Sequence, residues 1–309
     1  MHELFGDRLV AAIEDKKAPV CVGVDPIFEM LPEAVAGPAD ERNANDADAA
    51  IDAIFDFTIS VLRIVAPHVP CVKFQSAYFE KYLWEGVEAY YNLVHEASEL
   101  GLLVIGDVKR GDIGSTMAAY AAAHLADSPF DEHEDIVTPD AITINPFCGL
   151  DTLEPAIQTA RAFGKGLFVL VRTSNPGSVE LQDVKLDDGR TWSEMLADKL
   201  QPLAGASGLV GSSGWSSVGA VVGATQPHTM QSLRQRLPQS IFLLPGYGTQ
   251  GATADMTRAA FREGRGAIVS ASRSILYANR DKKYAHLTDW KKAVEQATID
   301  MKQDVSQFL

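Results

Sequence analysis

The chain has 309 residues, 46% of them hydrophobic and 22% charged, a composition that supplies a full core and does not match a long disordered chain. Its net charge of −14 argues against a nucleic-acid surface and against binding to anionic lipid, although a few local cations could still hold a small anionic substrate. No apolar run reaches the roughly 20 residues of a membrane span, and the first residues lack a signal-peptide core. We therefore expect a cytoplasmic protein without a membrane segment.

Eight short and almost wholly apolar runs recur along the chain, with amphipathic stretches between them. Such runs are typical of strands that are buried on both faces. The predicted strands are 19–25, 69–74, 102–107, 141–145, 166–172, 220–224, 241–245 and 267–271. The predicted helices are 49–65, 80–100, 116–126, 152–162, 192–203, 229–237 and 253–263, followed by a terminal helix over 284–309.

The alternation of strand and helix predicts parallel strands joined by right-handed crossovers. Eight such units fit a closed α/β barrel of the (β/α)₈ TIM type, and we expect residues 1–309 to form this one domain. A doubly wound open sheet is the alternative. That fold usually carries a glycine-rich fingerprint after its first strand, whereas here the first strand ends in Val24-Asp25-Pro26.

Two predicted connections are long, and both follow a strand. They cover residues 25–48 and 173–190, which places them at the carboxyl ends of the strands, where barrel enzymes build their active sites. Loops of this length are binding loops, lids or tolerated surface insertions. The role of the insertion 28–48 stays open.

Cysteine and histidine spacing gives no sign of a metal site. Cys21, Cys71 and Cys148 lie in or beside apolar runs without CxxC spacing, so we expect buried, unreactive thiols in a reducing compartment. The seven histidines show neither HxH nor HExxH spacing, and no cofactor fingerprint is present. We therefore predict no metal and no cofactor.

Charged residues stand at the ends of several predicted strands, where they are costly unless they are paired or functional. Asp107 and Lys109 are two positions apart on the third strand, so they face the same side with Cα atoms about 6.5–7 Å apart. Gly111 permits a turn that could bring Asp112 back, and Lys73 on the neighbouring strand could join them. We predict an alternating Lys–Asp–Lys–Asp array. A purely structural ion-pair network is the alternative.

This array suggests a particular chemistry. A lysine between carboxylates keeps its proton, because nearby opposite charge favours the charged form. Lys109 is then suited to donate a proton and to stabilise a developing carbanion, and unsuited to form an imine, which requires a neutral amine. A fixed carboxylate would repel an anionic group of the substrate, and loss of that group as CO₂ would relieve the repulsion. The residues favour decarboxylation with protonation over aldol cleavage.

A second constellation predicts a phosphate site. The stretch Gly246-Tyr247-Gly248-Thr249-Gln250-Gly251 follows the seventh strand, and Arg273 follows the eighth. Loops after these two strands form the usual phosphate site of the barrel, in which backbone N–H groups and an arginine fork bind the oxygens. A plain tight turn is the alternative reading of the glycines alone.

The strand-3 motif Asp107-Val108-Lys109-Arg110-Gly111-Asp112-Ile113 closely resembles the D-x-K-x-x-D-I signature of the orotidine 5′-phosphate decarboxylases. The resemblance spans nearly the whole chain, and its longer bacterial subgroup is the nearest; the other matching segments are Val24-Asp25-Pro26, Val72-Lys73-Phe74-Gln75, Arg172-Thr173-Ser174-Asn175-Pro176, 245–251 and Ser272-Arg273-Ser274-Ile275. The resemblance implies decarboxylation of orotidine 5′-phosphate to uridine 5′-phosphate, the final step of de novo pyrimidine biosynthesis, without a cofactor.

The resemblance also implies roles around the reacting carbon. Lys109 would protonate C6 of the vinyl carbanion that remains after CO₂ departs, and Asp107 would sit against the substrate carboxylate. Lys73 would hold the network and contact the ribose. Asp112, with Ile113 and Thr116 beside it, would reach into the site of a partner subunit. The family therefore implies an obligate homodimer with shared active sites.

Further roles concern the rest of the substrate. By resemblance, Asp25 would bind a ribose hydroxyl and Ser174 would hydrogen-bond the pyrimidine. Gln250 would bridge toward the phosphate, which Arg273 would clamp. Asn145, at the end of the fourth strand, has no assigned role.

Two other functions stay open. One is a metal-dependent keto-sugar-phosphate decarboxylase or aldolase with the same motif. Those relatives place an acidic metal ligand on the second strand, where this chain has Lys73, a cation that would repel Mg²⁺. The other is a non-catalytic nucleotide-binding module, which would be expected to have lost a charged member of the array.

Overall fold

A computed structural model describes residues 2–38, 46–133, 135–248 and 251–309. Eight parallel strands close into a barrel in the order β1 to β8, and β8 pairs with β1. The strands are β1 (Val20–Val24), β2 (Cys71–Gln75), β3 (Leu103–Arg110), β4 (Ala141–Ile144), β5 (Gly166–Arg172), β6 (Ser216–Val222), β7 (Ser240–Pro245) and β8 (Ala267–Ala271). The predicted (β/α)₈ barrel is confirmed.

Helices connect the strands, several of them only one turn long. Within the described ranges they are α1 (Phe5–Lys16), α2 (Glu33–Ala36), α3 (Ala47–Val65), α4 (Ala77–Glu80), α5 (Leu83–Glu99), α6 (Gly114–Leu125), α7 (Glu154–Phe163), α8 (Val179–Gln182), α9 (Trp192–Ala204), α10 (Pro227–Arg236), α11 (Ala254–Thr257), α12 (Arg273–Leu276) and α13 (Trp290–Ser306). In this part of the chain no helix has the length and apolar character needed to cross a membrane.

The strands are apolar because both of their faces are buried. Ile105 and Ala141 lie two residues before Asp107 and Thr143, and side chains alternate along a strand, so all four point into the barrel. The inward side chains form one apolar cluster with α1. The outward side chains pack beneath the surrounding helices in a second, larger cluster. This double burial explains why the runs carry little polar periodicity.

Helix α1 closes the amino-terminal end of the barrel. The ring of Phe5 meets Phe168 edge to face, with 5.9 Å between ring centroids. A Cβ at position 166 would lie 2.1 Å from the Phe5 ring, so Gly166 is what lets the helix seat against the strands. With this end covered, the opposite end carries the open cavity.

Several element boundaries differ from the sequence prediction, and two of the differences have a clear cause. Strand β6 begins at Ser216 rather than at 220, because the buried Ser216 hydroxyl is satisfied by the carbonyl of Ala204 at 2.7 Å. The helix predicted over 253–263 is wrong: α11 ends after one turn, and the chain then turns so that Phe261 packs against Phe308 at 5.6 Å.

Further differences concern the terminal helix and the thiols. The terminal helix begins at Trp290 rather than at 284. Its N-cap is Asp289, whose carboxylate accepts the Lys291 N–H. Cys21 and Cys71 are buried as predicted, whereas the expectation is wrong for Cys148, which is exposed in the loop after β4.

Candidate active site

A cavity of about 420 Å³ opens at the carboxyl ends of the strands. Most of the predicted site residues line it: Asp25, Lys73, Asp107, Lys109, Ser174 and Arg273. Asp112, Ile113 and Thr116 do not, and Gln250 lies outside the described residues. The side chains of Gln75, Thr143, Asn175 and Tyr247 also line the cavity, although no role was predicted for them.

Asp107 is the centre of the charged group. Its Oδ2 lies 2.7 Å from Lys73 Nζ and its Oδ1 lies 2.6 Å from Lys109 Nζ. Lys73 Nζ lies 3.9 Å from Asp25 Oδ1 on the other side. Within one chain the alternating array is therefore Asp25–Lys73–Asp107–Lys109: Asp25 extends it beyond Lys73, and no carboxylate of the described residues pairs with Lys109 on the side predicted for Asp112.

Burial makes the charges in this group depend on one another. Desolvation alone would raise the pKa of Asp107, but the positive charges of Lys73 and Lys109 outweigh it and hold that pKa well below its usual range. Desolvation would lower the pKa of Lys73, yet the carboxylates of Asp107 and Asp25 hold it above its ordinary value. At neutral pH Asp107 is thus an anion and Lys73 a cation.

Two neutral donors complete the surroundings of Asp107. Gln75 Nε2 donates to Oδ2 at 3.0 Å and the Thr143 hydroxyl donates to Oδ1 at 2.9 Å. Sequence reasoning missed both residues. The signal for Gln75 was its place two positions after Lys73 on β2, which puts both side chains on the same face. Thr143 was a polar residue inside an otherwise apolar strand.

The backbone of Lys109 is unusual. Its φ of +45° lies in the left-handed region, which costs a non-glycine residue about 1–3 kcal/mol. Gly106 pairs with Ile142, and Arg110 pairs with Ile144. Between these two pairs the chain advances four residues on β3 but only two on β4, so β3 bulges there. Bulges next to active sites re-aim a side chain, and this one turns Lys109 back over Asp107.

Asp112 is not brought to its own chain's cavity. Its Oδ1 accepts the N–H of Ile113 at 2.7 Å, at the start of α6. Ile113 is 65% exposed and Phe147, on the next loop, is 72% exposed. The expectation that Asp112 turns back to Asp107 in the same chain is therefore wrong, because the bulge of β3 directs the following residues outward.

Asn145 holds together the loops that follow β3 and β4. Its Oδ1 accepts the N–H of Phe147 at 3.0 Å, and its own N–H donates to the carbonyl of Arg110 at 2.7 Å. A Cβ at Gly111 would lie 2.5 Å from the Asn145 carbonyl oxygen, so the close passage of the two loops requires glycine. Asn145 therefore shapes the loops at the mouth and does not line the cavity.

The wall opposite the charged group is formed by the loop after β5. Arg172, 2% exposed, makes a bidentate pair with Asp183 at 2.8 and 2.9 Å. The N–H of Thr173 donates to Gln182 Oε1 at 2.7 Å. These bonds close the loop on itself and fix the segment that presents Ser174 to the cavity.

The end of the cavity near β7 and β8 carries the predicted phosphate residues. Gly246 and Gly248 have φ of 109° and 72°, conformations that a residue with a Cβ rarely adopts. Tyr247 stands between them, and its phenol donates a hydrogen bond to Asp304 on α13. Arg273 is exposed, and its guanidinium makes no hydrogen bond or ion pair to any described residue, so the guanidinium can bind a ligand.

A closed (β/α)₈ barrel with a charged cavity at the carboxyl ends of its strands has the architecture of the barrel enzymes. A sequence model of the "Orotidine 5′-phosphate decarboxylase / HUMPS family" matches residues 19–287. The chain belongs to this family.

Similar proteins match almost the full length. Orotidine 5′-phosphate decarboxylase of Rhodopirellula baltica is 38% identical over 305 residues, covering 97% of this chain and 98% of that protein. The protein of the same name from Caldicellulosiruptor bescii is 35% identical over 304 residues, covering 98% of each. A crystal structure from Streptomyces avermitilis superposes with a TM-score of 0.78 at 33% identity, covering 99% of this chain and 96% of that one. The resemblance seen in the sequence is confirmed.

Proposed function

We propose that the protein decarboxylates orotidine 5′-phosphate to uridine 5′-phosphate, the last step of de novo pyrimidine biosynthesis. The observation that carries the proposal is Asp107, a buried carboxylate held between two lysine ammonium groups in a cavity whose far end offers Arg273. The near-full-length relatives bear the name of this carboxy-lyase. The family also includes the HUMPS enzymes, so the residues of the cavity decide between the two.

In the proposed reaction the bond between C6 and the carboxylate breaks, and its electron pair stays on C6. Asp107 lies against the departing carboxylate and repels it in the ground state, while neutral CO₂ is not repelled. The ammonium of Lys109 stabilises the carbanion and then transfers a proton to C6. The neutral amine regains a proton from water, which reaches it because the Lys109 side chain is 45% exposed.

The remaining contacts hold the substrate in place. Lys73 and Asp25 bind ribose hydroxyls at the edge of the charged group, and Ser174 hydrogen-bonds the pyrimidine. Arg273 clamps the phosphate, with Gln250 bridging toward it. Contacts to the phosphate lie far from C6, so they act by supplying binding energy to the reacting end.

We further propose that residues 1–309 form one domain that works as a homodimer with shared active sites. The support for one domain is a core cluster that runs from Ala18 to Phe308. The support for the dimer is the outward position of Asp112 beside the exposed side chains of Ile113 and Phe147, with Thr116 on the same helix. In a dimer Asp112 would complete the charged group of its partner.

Mixing two inactive variants tests the shared site. In a dimer of Lys109→Ala with Asp112→Asn, one of the two sites keeps both native residues. After exchange of subunits about a quarter of all sites should be intact, and activity should return to about that fraction. Activity that stays at the level of the separate variants, with dimers formed, would show that each site is built from a single chain.

The metal-dependent alternative differs at β2. Lys73 Nζ lies between the carboxylates of Asp25 and Asp107 and neutralises the pair that could otherwise bind a divalent cation. Among the described residues no group of three acidic, histidine or cysteine side chains has the arrangement of a metal site. The donor set therefore favours a reaction that runs on fixed charges.

The decisive experiment follows the ultraviolet absorbance of orotidine 5′-phosphate mixed with purified protein in excess EDTA. A fall in absorbance with the native chain, absent with Lys109→Ala, is expected. An unchanged spectrum with folded, dimeric protein would refute the decarboxylase proposal. The same protein would then be assayed with keto-sugar phosphates after Mg²⁺ is restored.

A further inference from the structure

Thr143 occupies the point where the bulge of β3 passes β4. It is 1% exposed and lies between Ile142 and Ile144, the two residues at which the ladder pairs on either side of the bulge. Inside the bulge the regular backbone ladder is interrupted. The N–H of Lys109 finds its partner in a side chain instead, the Thr143 Oγ1, at 2.9 Å.

The same hydroxyl is bound on its other side. Thr143 Oγ1 donates its hydrogen to Asp107 Oδ1 at 2.9 Å, and an ionised carboxylate can only accept. A hydroxyl has one hydrogen and two lone pairs, so the direction of both bonds is settled: it receives from Lys109 and gives to Asp107. Asp107 Oδ1 is also the atom that Lys109 Nζ contacts at 2.6 Å.

We propose that Thr143 is a positioning residue, whose hydroxyl locks the left-handed backbone of Lys109 to the Asp107 carboxylate and so fixes the proton donor over the reacting carbon. The proposal rests on the proposed decarboxylation and adds a residue to it. Thr143 acts through Lys109 and Asp107, because its only hydrogen and one of its two lone pairs are bonded to these residues.

The geometry explains why a threonine is suited to this place. A strained backbone persists only where its surroundings over-determine it. The backbone hydrogen bonds between β3 and β4 do not hold Lys109 in this conformation, because they are interrupted at the bulge. They resume only where the Asn145 N–H donates to the carbonyl of Arg110 at 2.7 Å. The Thr143 hydroxyl supplies the missing acceptor within the bulge, and its methyl group fills buried space that a serine would leave open.

Thr143→Val keeps the shape and removes both hydrogen bonds, whereas Thr143→Ser keeps the hydroxyl. We expect Val to lower kcat for orotidine 5′-phosphate by about 10- to 100-fold, the effect of a small misplacement of a catalytic group, and Ser to retain it within about 3-fold. KM and the dissociation constant of uridine 5′-phosphate should change by less than about 3-fold in both variants, because the ribose and phosphate contacts are intact.

Thr58 offers a matched control. It is 1% exposed on α3, and its hydroxyl has no hydrogen-bond partner among the described residues, so Thr58→Val makes the same replacement in the core without removing a bond. This variant should keep wild-type kcat. If Thr143→Val does not fold, as judged by circular dichroism, Thr143→Ala takes its place in the comparison with Thr143→Ser.

The outcomes separate two failures. Wild-type kcat in folded Thr143→Val refutes the positioning role, and so does an equal loss in the Ser and Val variants. A lower kcat/KM that comes only from a higher KM also refutes the positioning role, because it would show that Thr143 contributes to substrate binding. A native protein without turnover of orotidine 5′-phosphate would refute the proposed function instead, before any variant is compared.

Discussion

Removing Lys73 tests the electrostatics of the site separately from its chemistry. The side chains of Lys73 and Asp107 are 9% and 8% exposed and their charged atoms are 2.7 Å apart. Deleting one partner of a buried charge pair costs about 3–5 kcal/mol. In Lys73→Met the Asp107 carboxylate keeps only the half-exposed Lys109, and Asp25 loses the cation that faces it. Lys73→Met should therefore lower the free energy of unfolding at pH 7 by about this amount. At roughly 2 °C per kcal/mol, the melting temperature should fall by about 6–10 °C.

The pH dependence of this loss follows from the pKa of Asp107. In the native chain the lysines hold the pKa of Asp107 far below its ordinary value of about 3.9. The stabilisation is therefore fully present above about pH 3.9, and it is lost as the pH falls through the pKa that Asp107 has in the folded chain. Without Lys73 the pKa of Asp107 rises relative to wild type, since burial then acts against a single cation. The difference in stability between wild type and variant should be largest at pH 7 and should narrow below about pH 4.

Thermal unfolding followed by circular dichroism at pH 7 and at about pH 3 is the assay. Arg258→Met removes one partner of the exposed pair Arg258–Asp255 and should change stability by less than about 1 kcal/mol. The double variant Lys73→Met/Asp107→Asn should recover most of the loss, because the two charges that then lose a partner, Asp25 and Lys109, are partly exposed to water. A Lys73→Met protein as stable as wild type at pH 7 would refute the reasoning.

Three further predictions separate catalysis, binding and loop order. Lys109→Ala should abolish turnover in the absorbance assay and shift the melting temperature by less than about 2 °C, since the lysine side chain is 45% exposed; a large destabilisation would argue for a structural role. Arg273→Ala should raise KM by about 10- to 100-fold, with a smaller loss of kcat, in steady-state kinetics; wild-type kinetics would rule out the phosphate assignment. Arg172→Met should speed amide hydrogen exchange between Thr173 and Asp183 while exchange in α1 stays unchanged; equal protection in both proteins would show that the loop is ordered by other contacts.

The barrel and most of the site were predictable because each followed from a local pattern. Short apolar runs give strands buried on both faces, and the spacing of Asp107 and Lys109 puts both on one side of β3. The position of Asp112 away from its own chain's cavity was not predictable, because it follows a bulge that arises from the pairing of β3 with β4. The helix predicted over 253–263 failed because a tertiary contact of Phe261 outweighed the local pattern. The partners of Asp107 on β2 and β4 were missed because neutral polar residues carry no charge pattern.

The closed barrel also sets the spacing between the charged group and the arginine at the other end of the cavity. Lys73 and Lys109 lie on β2 and β3, and Arg273 follows β8, so the two ends of the cavity are attached to one continuous ring of hydrogen-bonded strands. Such a ring changes its diameter little, so the spacing of the backbone positions that carry the two lysines and Arg273 is set by the strands. The site can then select ligands by the distance between their ring and their phosphate. A ligand whose phosphate is one atom nearer or farther from its ring is expected to satisfy one end only, and selection by length needs no further contact.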